Sequence, residues 1–330
     1  MRRSLAVAIL SALALAGVAV AGNGGFAPVE PASPNAELIN DSYFWVSIFT
    51  GGIFLLVQGS LLWFIVRYRK RRRDRSEDAA QIHGNTNLEL AWTVAPVLVL
   101  IAIGAFVFWK LPGIQDIPSA NAQGGRVDVQ VTGYRYYWNY RYPNGVIAVD
   151  RLRAPVGQNV RLEVSAPDFD VIHSWWIPAL GGKFDAIPGE TNETWFRATA
   201  PGLYRGQCAE FCGIQHAAMK AEVEALPRRE FEAWLEEEGR AQEAGTSNLG
   251  KETFAGACAK CHGLAGEGDI GRRLRGNRLL ADTKVVEEIV RNGRTATPGR
   301  NAMPPIGKDW SDRQMKALTD YLEEELLGGR

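Results

Sequence analysis

Cys208-Ala209-Glu210-Phe211-Cys212-Gly213-Ile214-Gln215-His216-Ala217-Ala218-Met219 places two thiols, one imidazole and one thioether at spacings of four, four and three. Soft sulfur donors beside an imidazole, all in one short stretch, form a ligand set suited to copper. A single blue-copper ion needs only one of the cysteines, so the second argues for two copper ions sharing bridging sulfurs. On the residues alone two other readings stay open. Cys208 and Cys212 could close a small disulfide, and zinc takes the same Cys and His donors in tetrahedral sites. Neither accounts for Met219, a thioether that hard or borderline ions do not seek. A further imidazole, His173, stands upstream in Asp170-Val171-Ile172-His173-Ser174-Trp175-Trp176-Ile177-Pro178.

The pattern C-x-E-x-C-G-x-x-H-x-x-M resembles the dinuclear copper A centre in subunit II of haem-copper cytochrome c oxidases. The resemblance implies His173, Cys208, Cys212, His216 and Met219 as side-chain ligands, with the backbone carbonyl of Glu210 as one more. It also implies that the Glu210 side chain helps hold a magnesium ion at the boundary with oxidase subunit I. Asp185-Ala186-Ile187-Pro188-Gly189 follows the same pattern, and Glu190 departs from it, standing where arginine is common.

Around this stretch, over residues 125–227, the apolar period is two. Val127, Val129 and Val131 alternate with polar residues, as do Val160, Leu162 and Val164, and Gly, Pro and Asn punctuate the runs. This predicts a small antiparallel β sandwich or barrel, and the resemblance implies a cupredoxin-like, all-β copper A domain. The run Tyr134-Arg135-Tyr136-Tyr137-Trp138-Asn139-Tyr140 reads mostly as a strand rich in aromatics for ordinary packing. It resembles the family's aromatic region beside the copper, where many members carry a tryptophan at the place of Tyr136 that receives electrons from soluble cytochrome c. Tyr136 and Trp138 are therefore the expected points of electron entry.

Residues 228–247 read as a short helix with Phe231, Trp234 and Leu235 on one face, followed by a small polar linker from Ala241 to Ser247. A second domain, residues 248–330, opens with Cys258-Ala259-Lys260-Cys261-His262. This is the attachment signature of a covalent c-type haem: two thiols for the thioether bonds and an adjacent histidine for the iron. A thioredoxin-like redox motif shares C-x-x-C but belongs beside a βαβ pattern, which the surrounding sequence lacks. Met/His ligation suits an electron carrier, and Met303 in Asn301-Ala302-Met303-Pro304-Pro305 is the better candidate for the second axial ligand. Met315 falls inside a final amphipathic helix that starts at the capping box Ser311 to Gln314, with Leu318, Tyr321 and Leu322 on the same face. Gly250 and Phe254 have the spacing of class I cytochromes c, an all-α fold whose first helix crosses its last.

Upstream, Arg2 and Arg3 precede an apolar run that closes on small residues, which reads as a signal peptide over residues 1–21. Residues 37–112 read as a transmembrane hairpin with spans at about 43–66 and 90–109, each long enough to cross a hydrocarbon core of about 30 Å. The seven cations between Arg67 and Arg75 place the connecting loop in the cytoplasm and both ends of the hairpin outside. His83-Gly84-Asn85 and Glu89-Leu90-Ala91-Trp92-Thr93 resemble the entry to the second span in oxidase subunit II. There the family's glutamate, Glu89 here, lies near the mouth of a proton channel. A carboxylate in the first turn of a helix is equally favoured by the helix dipole.

The 330 residues carry 37 basic and 37 acidic side chains, which gives no general attraction to nucleic acid. The four cysteines are all taken by the two motifs, leaving none for a disulfide framework. Taken whole, the chain resembles subunit II of a caa3-type cytochrome c oxidase, with a class I cytochrome c fused behind the copper A domain. That resemblance implies a multidomain protein of the bacterial inner membrane with its copper and haem domains outside. Its expected partners are subunit I, other oxidase subunits, membrane lipid, and cytochrome c or another electron donor. Electrons would pass from the donor through the chain's own haem and copper A to the oxygen-reducing subunit. A copper A nitric oxide reductase is the alternative, and a copper-storage protein would leave the haem motif unexplained.

Overall fold

The computed structural model describes residues 28–69, 81–119, 125–296 and 302–328. The signal segment expected at residues 1–21 lies outside them, as do the loop cations from Lys70 to Arg75 and Asn301. The chain divides into two compact units, Glu37–Asp116 and the remainder.

The first unit is a helical hairpin. Helix α1 (Pro34–Tyr68) has 35 residues and α2 (Thr86–Gln115) has 30, so at 1.5 Å per residue they run roughly 50 and 45 Å, beyond the thickness of a bilayer core. Both are apolar enough to cross a membrane. They are antiparallel: Trp45 stacks on Phe106 at 4.8 Å, and Lys110 Nζ meets Asp41 Oδ2 at 2.9 Å. Helix α1 continues through Gly51-Gly52 and α2 through Pro96 and Pro112. Asn85 caps α2 by accepting from Leu88 N–H at 3.1 Å, and Glu89 Oε1 faces the Asn85 N–H at 3.4 Å. His83 is exposed just before this cap.

The second unit begins with two five-stranded sheets packed face to face. One has the order β3-β2-β1-β5-β8: β1 (Arg126–Tyr134), β2 (Tyr137–Arg141), β3 (Ile147–Val149), β5 (Asn159–Ser165) and β8 (Asn192–Phe196). The other has the order β4-β10-β9-β6-β7: β4 (Arg151–Pro155), β6 (His173–Trp176), β7 (Phe184–Ala186), β9 (Gly202–Cys208) and β10 (Lys220–Leu226). The expected antiparallel pairing holds for most neighbours, but β1 pairs with β5 in parallel and β4 with β10 in parallel. Strand alternation reports which face is buried and carries no information on pairing direction. Parallel neighbours require long crossovers, and here each crossover passes through strands of both sheets. Of the residues marked by the period of two, Val129, Val131, Val160, Leu162 and Val164 lie in the core between the sheets and Val127, half-buried, packs against it.

Helix α3 (Arg228–Ala244) follows β10 and packs Phe231 and Trp234 against Tyr142. It continues through Ala241–Ala244, which the sequence assigned to a polar linker. Gln242 explains the difference. It is 3% exposed, and its side chain accepts from Ile147 N–H at 3.1 Å and donates to Ile147 O at 2.7 Å. The amide thus completes the open edge of β3 as a neighbouring strand would. Gly245, with φ 72, then ends the helix in the left-handed conformation that glycine adopts without strain.

The last part is helical: α4 (Leu249–Thr253), a π-helical turn (Phe254–Cys258), α5 (Ala259–His262), α6 (Thr283–Asn292) and α7 (Asp312–Tyr321). As the class I pattern implies, the first helix crosses the last. A Cβ at Gly250 would overlap the carbonyl of Ala317, and Phe254 packs on Tyr321 at 5.4 Å. This layer and the sandwich share one core: Tyr134, Tyr137, Ile147 and Val149 cluster with Leu249, Phe254, Trp310, Met315 and Leu318. Polar contacts fix the register. Tyr137 Oη donates to Ile306 O at 2.9 Å and accepts from Trp310 Nε1 at 2.6 Å, while Tyr134 Oη donates to Asp309 at 2.8 Å. Burial, and then the Asp309 charge, hold the Tyr134 phenol well above its usual range, so it remains a donor.

Candidate metal centre

The twelve-residue stretch is the connection between two neighbouring strands of one sheet. Cys208 ends β9, Met219 immediately precedes β10, and Cys208 N–H donates to Met219 O at 2.9 Å, closing the loop at its base. A short 3-10 turn, His216–Ala218, folds the loop back over its base. Cys212 Sγ lies at the centre, 4.0 Å from Cys208 Sγ, 3.6 Å from His216 Nδ1 and 3.8 Å from Met219 Sδ. Cys208 Sγ is 3.1 Å from the Glu210 carbonyl oxygen. All of the loop donors named from the sequence are therefore brought together.

His173 joins them from β6, the strand beside β9. Its ligand atom and the sulfurs of Cys208 and Cys212 all lie within 4.8 Å of one another, and all three residues are buried. A glycine makes the approach possible: a Cβ at Gly133 would come within 3.1 Å of the His173 side chain and 3.0 Å of the Trp138 ring. Trp138 is fully buried and meets the His173 ring edge-on at 6.1 Å, so it stands behind the cluster and away from the surface. Tyr136, half-buried, covers the loop from outside, its phenol oxygen 2.6 Å from where a Cβ on Gly213 would sit.

The residues fit a soft metal. Both ring nitrogens of His173 are buried without a well-formed hydrogen bond, Asp170 Oδ1 lying 3.5 Å from Nε2. Two buried polar atoms left this way are costly unless a metal takes one of them. The cysteines are free thiols, and 4.0 Å is about twice a disulfide bond. The two thiols titrate as a pair: a hydrogen bond from Cys212 and the nearby His173 favour the Cys208 thiolate, and that charge together with burial holds the proton on Cys212. Metal charge is what allows both to ionise together. Burial opposes charge on His173, but Asp170 and the Cys208 sulfur outweigh it and raise its pKa. A tetrahedral zinc site would leave one or more of these five donors idle, whereas sulfur and imidazole together match copper.

The second motif is equally ordered. Cys258 is buried and Cys261 half-buried on either side of a single helical turn. Burial, and then Cys261, push the Cys258 thiol up to about 12. His262 Nδ1 donates to Arg272 O at 2.6 Å, which fixes the tautomer and leaves Nε2 as the ligating atom. Gly271 permits this contact, since a Cβ there would lie 2.9 Å from His262 Nδ1. Met303 is half-buried and held by two backbone hydrogen bonds to Arg294, at 2.8 and 2.9 Å. Met315, 3% exposed, is a core side chain of α7. Two residues that sequence reasoning passed over stand between the motifs: Lys260 Nζ donates to Asp150 Oδ2 at 2.6 Å and to Tyr136 O at 2.7 Å. No sequence signal marks either one, because Lys260 occupies a variable position of C-x-x-C-H and Asp150 lies between two strands.

A membrane hairpin, a cupredoxin-like β domain bearing a buried thiolate and imidazole cluster, and a helical cytochrome c domain define a membrane-anchored electron-transfer protein. Family models agree for each part. Residues 23–109 match the transmembrane domain of cytochrome c oxidase subunit II, residues 145–226 its periplasmic domain, and residues 246–322 the cbb3-type cytochrome c oxidase subunit III family. Cytochrome c oxidase subunit 2 of Alkalihalophilus pseudofirmus is 32% identical over 321 residues, covering 91% of each chain. That of Cereibacter sphaeroides is 32% identical over 255 residues, 66% of this chain and 80% of the relative. The periplasmic domain of subunit II from Bradyrhizobium japonicum is 33% identical with a TM-score of 0.35, over 38% of this chain and 97% of that one. The chain belongs to the cytochrome c oxidase subunit II family. It is an electron-entry subunit of a haem-copper oxidase complex containing subunit I, and these relatives do not favour a nitric oxide reductase.

Proposed function

We propose that this is a caa3-type subunit II in which the fused cytochrome domain delivers electrons to the copper loop across Tyr136. The observation that carries this reading is Tyr136 itself: its phenol covers Gly213 of the copper loop, and its carbonyl accepts from Lys260 inside the haem motif. When bound, the two cofactors supply one-electron redox chemistry, taking electrons from cytochrome c or another donor and passing them toward oxygen-reducing subunit I.

The chain's own residues hold and insulate these groups. His173, Cys208, Cys212, His216, Met219 and the Glu210 carbonyl would hold a dinuclear copper A. The embedding of Cys208, Cys212 and Met219 in the sandwich core supports a coordination geometry that changes little with charge. Cys258 and Cys261 would carry a covalent haem c, with His262 and Met303 holding its iron. The loop position of Met303, against the helical core position of Met315, favours that choice. Trp138, edge-on to His173, is a second aromatic on the route. Glu210 is exposed beside Phe211 and Ile214, each 77% exposed. A side chain reaching outward from an apolar face suits a magnesium ion shared with subunit I. The Glu89 carboxylate faces the N–H of the cap residue Asn85, and a role at the proton-channel mouth would need it to turn toward subunit I. We place the hairpin in lipid of the bacterial inner membrane, with residues 125–227 and 248–330 on the periplasmic side.

Replacing Tyr136 by Leu in the intact complex tests the route. The expected result is slower reoxidation of the haem by copper with both spectra unchanged, and an unaltered rate would contradict it.

A further inference from the structure

Asp150 and Lys260 belong to neither ligand set, yet their side chains meet where the two outer domains join. Lys260 lies between the two haem-attachment cysteines, so covalent attachment on either side would fix its backbone. Its ammonium makes two contacts, Asp150 Oδ2 at 2.6 Å and Tyr136 O at 2.7 Å, with the side chains of Lys260 and Asp150 only 13% and 25% exposed. At that burial, losing one partner leaves the other charge poorly solvated, unlike an ion pair at the open surface.

Asp150 is itself firmly held. It adopts the left-handed conformation, φ 59, which Asp tolerates better than most residues. Its Oδ1 accepts from Trp138 N–H at 2.9 Å, its N–H donates to Trp138 O at 2.8 Å, and its carbonyl accepts from Glu222 N–H at 3.0 Å. The haem-attachment turn lies directly on this anchor. A Cβ at Gly256 would overlap Val149 and come 3.2 Å from Asp150 Oδ2. Tyr136 is thus clamped at its carbonyl by the haem motif and at its phenol by the copper loop.

We infer that the Lys260–Asp150 pair is a positioning latch that sets the spacing between the haem-attachment turn and Tyr136, and through it the rate of transfer to the copper loop. This rests on the proposed route through Tyr136. One electron leaves the reduced haem and one arrives at the oxidised copper pair, and no bond at Lys260, Asp150 or Tyr136 is made or broken. Nothing in the latch depends on either residue changing charge. Its action is geometric, and small displacements between redox partners are costly in rate.

The test uses the intact oxidase complex with Asp150→Asn, Lys260→Gln and the double variant, compared by flash reduction of the haem. Each single variant is expected to slow haem-to-copper transfer by about tenfold or more. The double variant should be no slower than either single one, since the two act as a unit. Haem content, the copper spectrum and turnover with a small donor that reduces copper directly should be unchanged. Amide exchange over residues 136–150 should quicken in both single variants, a readout independent of turnover. If Lys260→Gln loses haem, Asp150→Asn decides, because it lies outside the attachment motif. Single variants that transfer at the wild-type rate, additive losses in the double variant, or unchanged amide exchange would each overturn the latch while leaving the route intact. A wild-type complex whose reduced haem passes no electron to copper would overturn the route as well.

Discussion

Of the copper-site side chains, His173, Cys208, Cys212 and Met219 are buried in the sandwich and His216 is half-buried, whereas of the four haem-site side chains Cys258 is buried and Cys261, His262 and Met303 are half-buried. The copper cluster is assembled from the ends of hydrogen-bonded strands and shares their core. The haem residues come from one helical turn and a distant loop, and two backbone hydrogen bonds between Arg294 and Met303 help hold that loop. Replacing a copper ligand therefore disturbs the centre of a packed scaffold. Replacing the distant haem ligand alters a loop and leaves the covalent bonds untouched.

The largest expected effect follows from the central sulfur. Cys212→Ser should abolish the mixed-valence copper signature in electron paramagnetic resonance while the haem remains attached, since the two sites share no ligand. A variant that retained the dinuclear signal would erase the contrast between the two regions. Metal analysis of the wild-type complex sharpens the same point: one copper for this site, with a full complement of haem, would exclude a shared-thiolate pair. Next in size, Met303→Ala should keep covalent haem but lower its potential in a redox titration, because the thioether is lost from the iron. Met315→Ala should instead leave the potential in place and lower thermal stability by about 2 to 5 kcal/mol, as a core truncation does. The reverse pattern would exchange the two assignments.

Smaller effects probe the faces that join the regions. Gly213 has φ 129 and lies under the Tyr136 phenol, so Gly213→Ala should cost about 1 to 3 kcal/mol and lower the temperature at which the copper spectrum is lost. Unchanged stability would mean that Tyr136 does not press on the loop. The smallest change is expected for Tyr134→Phe, which removes the 2.8 Å bond to Asp309 and about 1 kcal/mol of interdomain stability, read as a modest shift in chemical denaturation.

Much of this was legible in the residues. The copper loop announces itself because its donors fall within twelve positions, and the haem motif because covalent attachment demands a fixed spacing. Uncharged runs of 24 and 20 residues mark the hairpin in the same local way. What stayed hidden was long-range. Parallel pairing of β1 with β5 depends on which strands meet, and alternation is blind to that. Helix α3 outruns its sequence signal because Ala, Glu and Gln around Gln242 show no apolar stripe, while the burial of Gln242 depends on the edge of β3 more than ninety residues earlier. Lys260 and Asp150, 110 positions apart, carry no local mark at all. The buried Gln242 amide and the shared core have a physical consequence: the cytochrome domain is docked against the sandwich in a fixed register.

Deletion of residues 247–330 removes the docked domain and uncovers Tyr134, Tyr137, Ile147 and Val149, which puts entry through the fused haem to the test. Oxygen consumption by the truncated complex would be measured with its native donor and, separately, with a small artificial reductant. A strong loss with the native donor is expected, while the copper spectrum persists and the small reductant still supports turnover. Undiminished turnover with the native donor would contradict it and put electron entry at the copper domain itself.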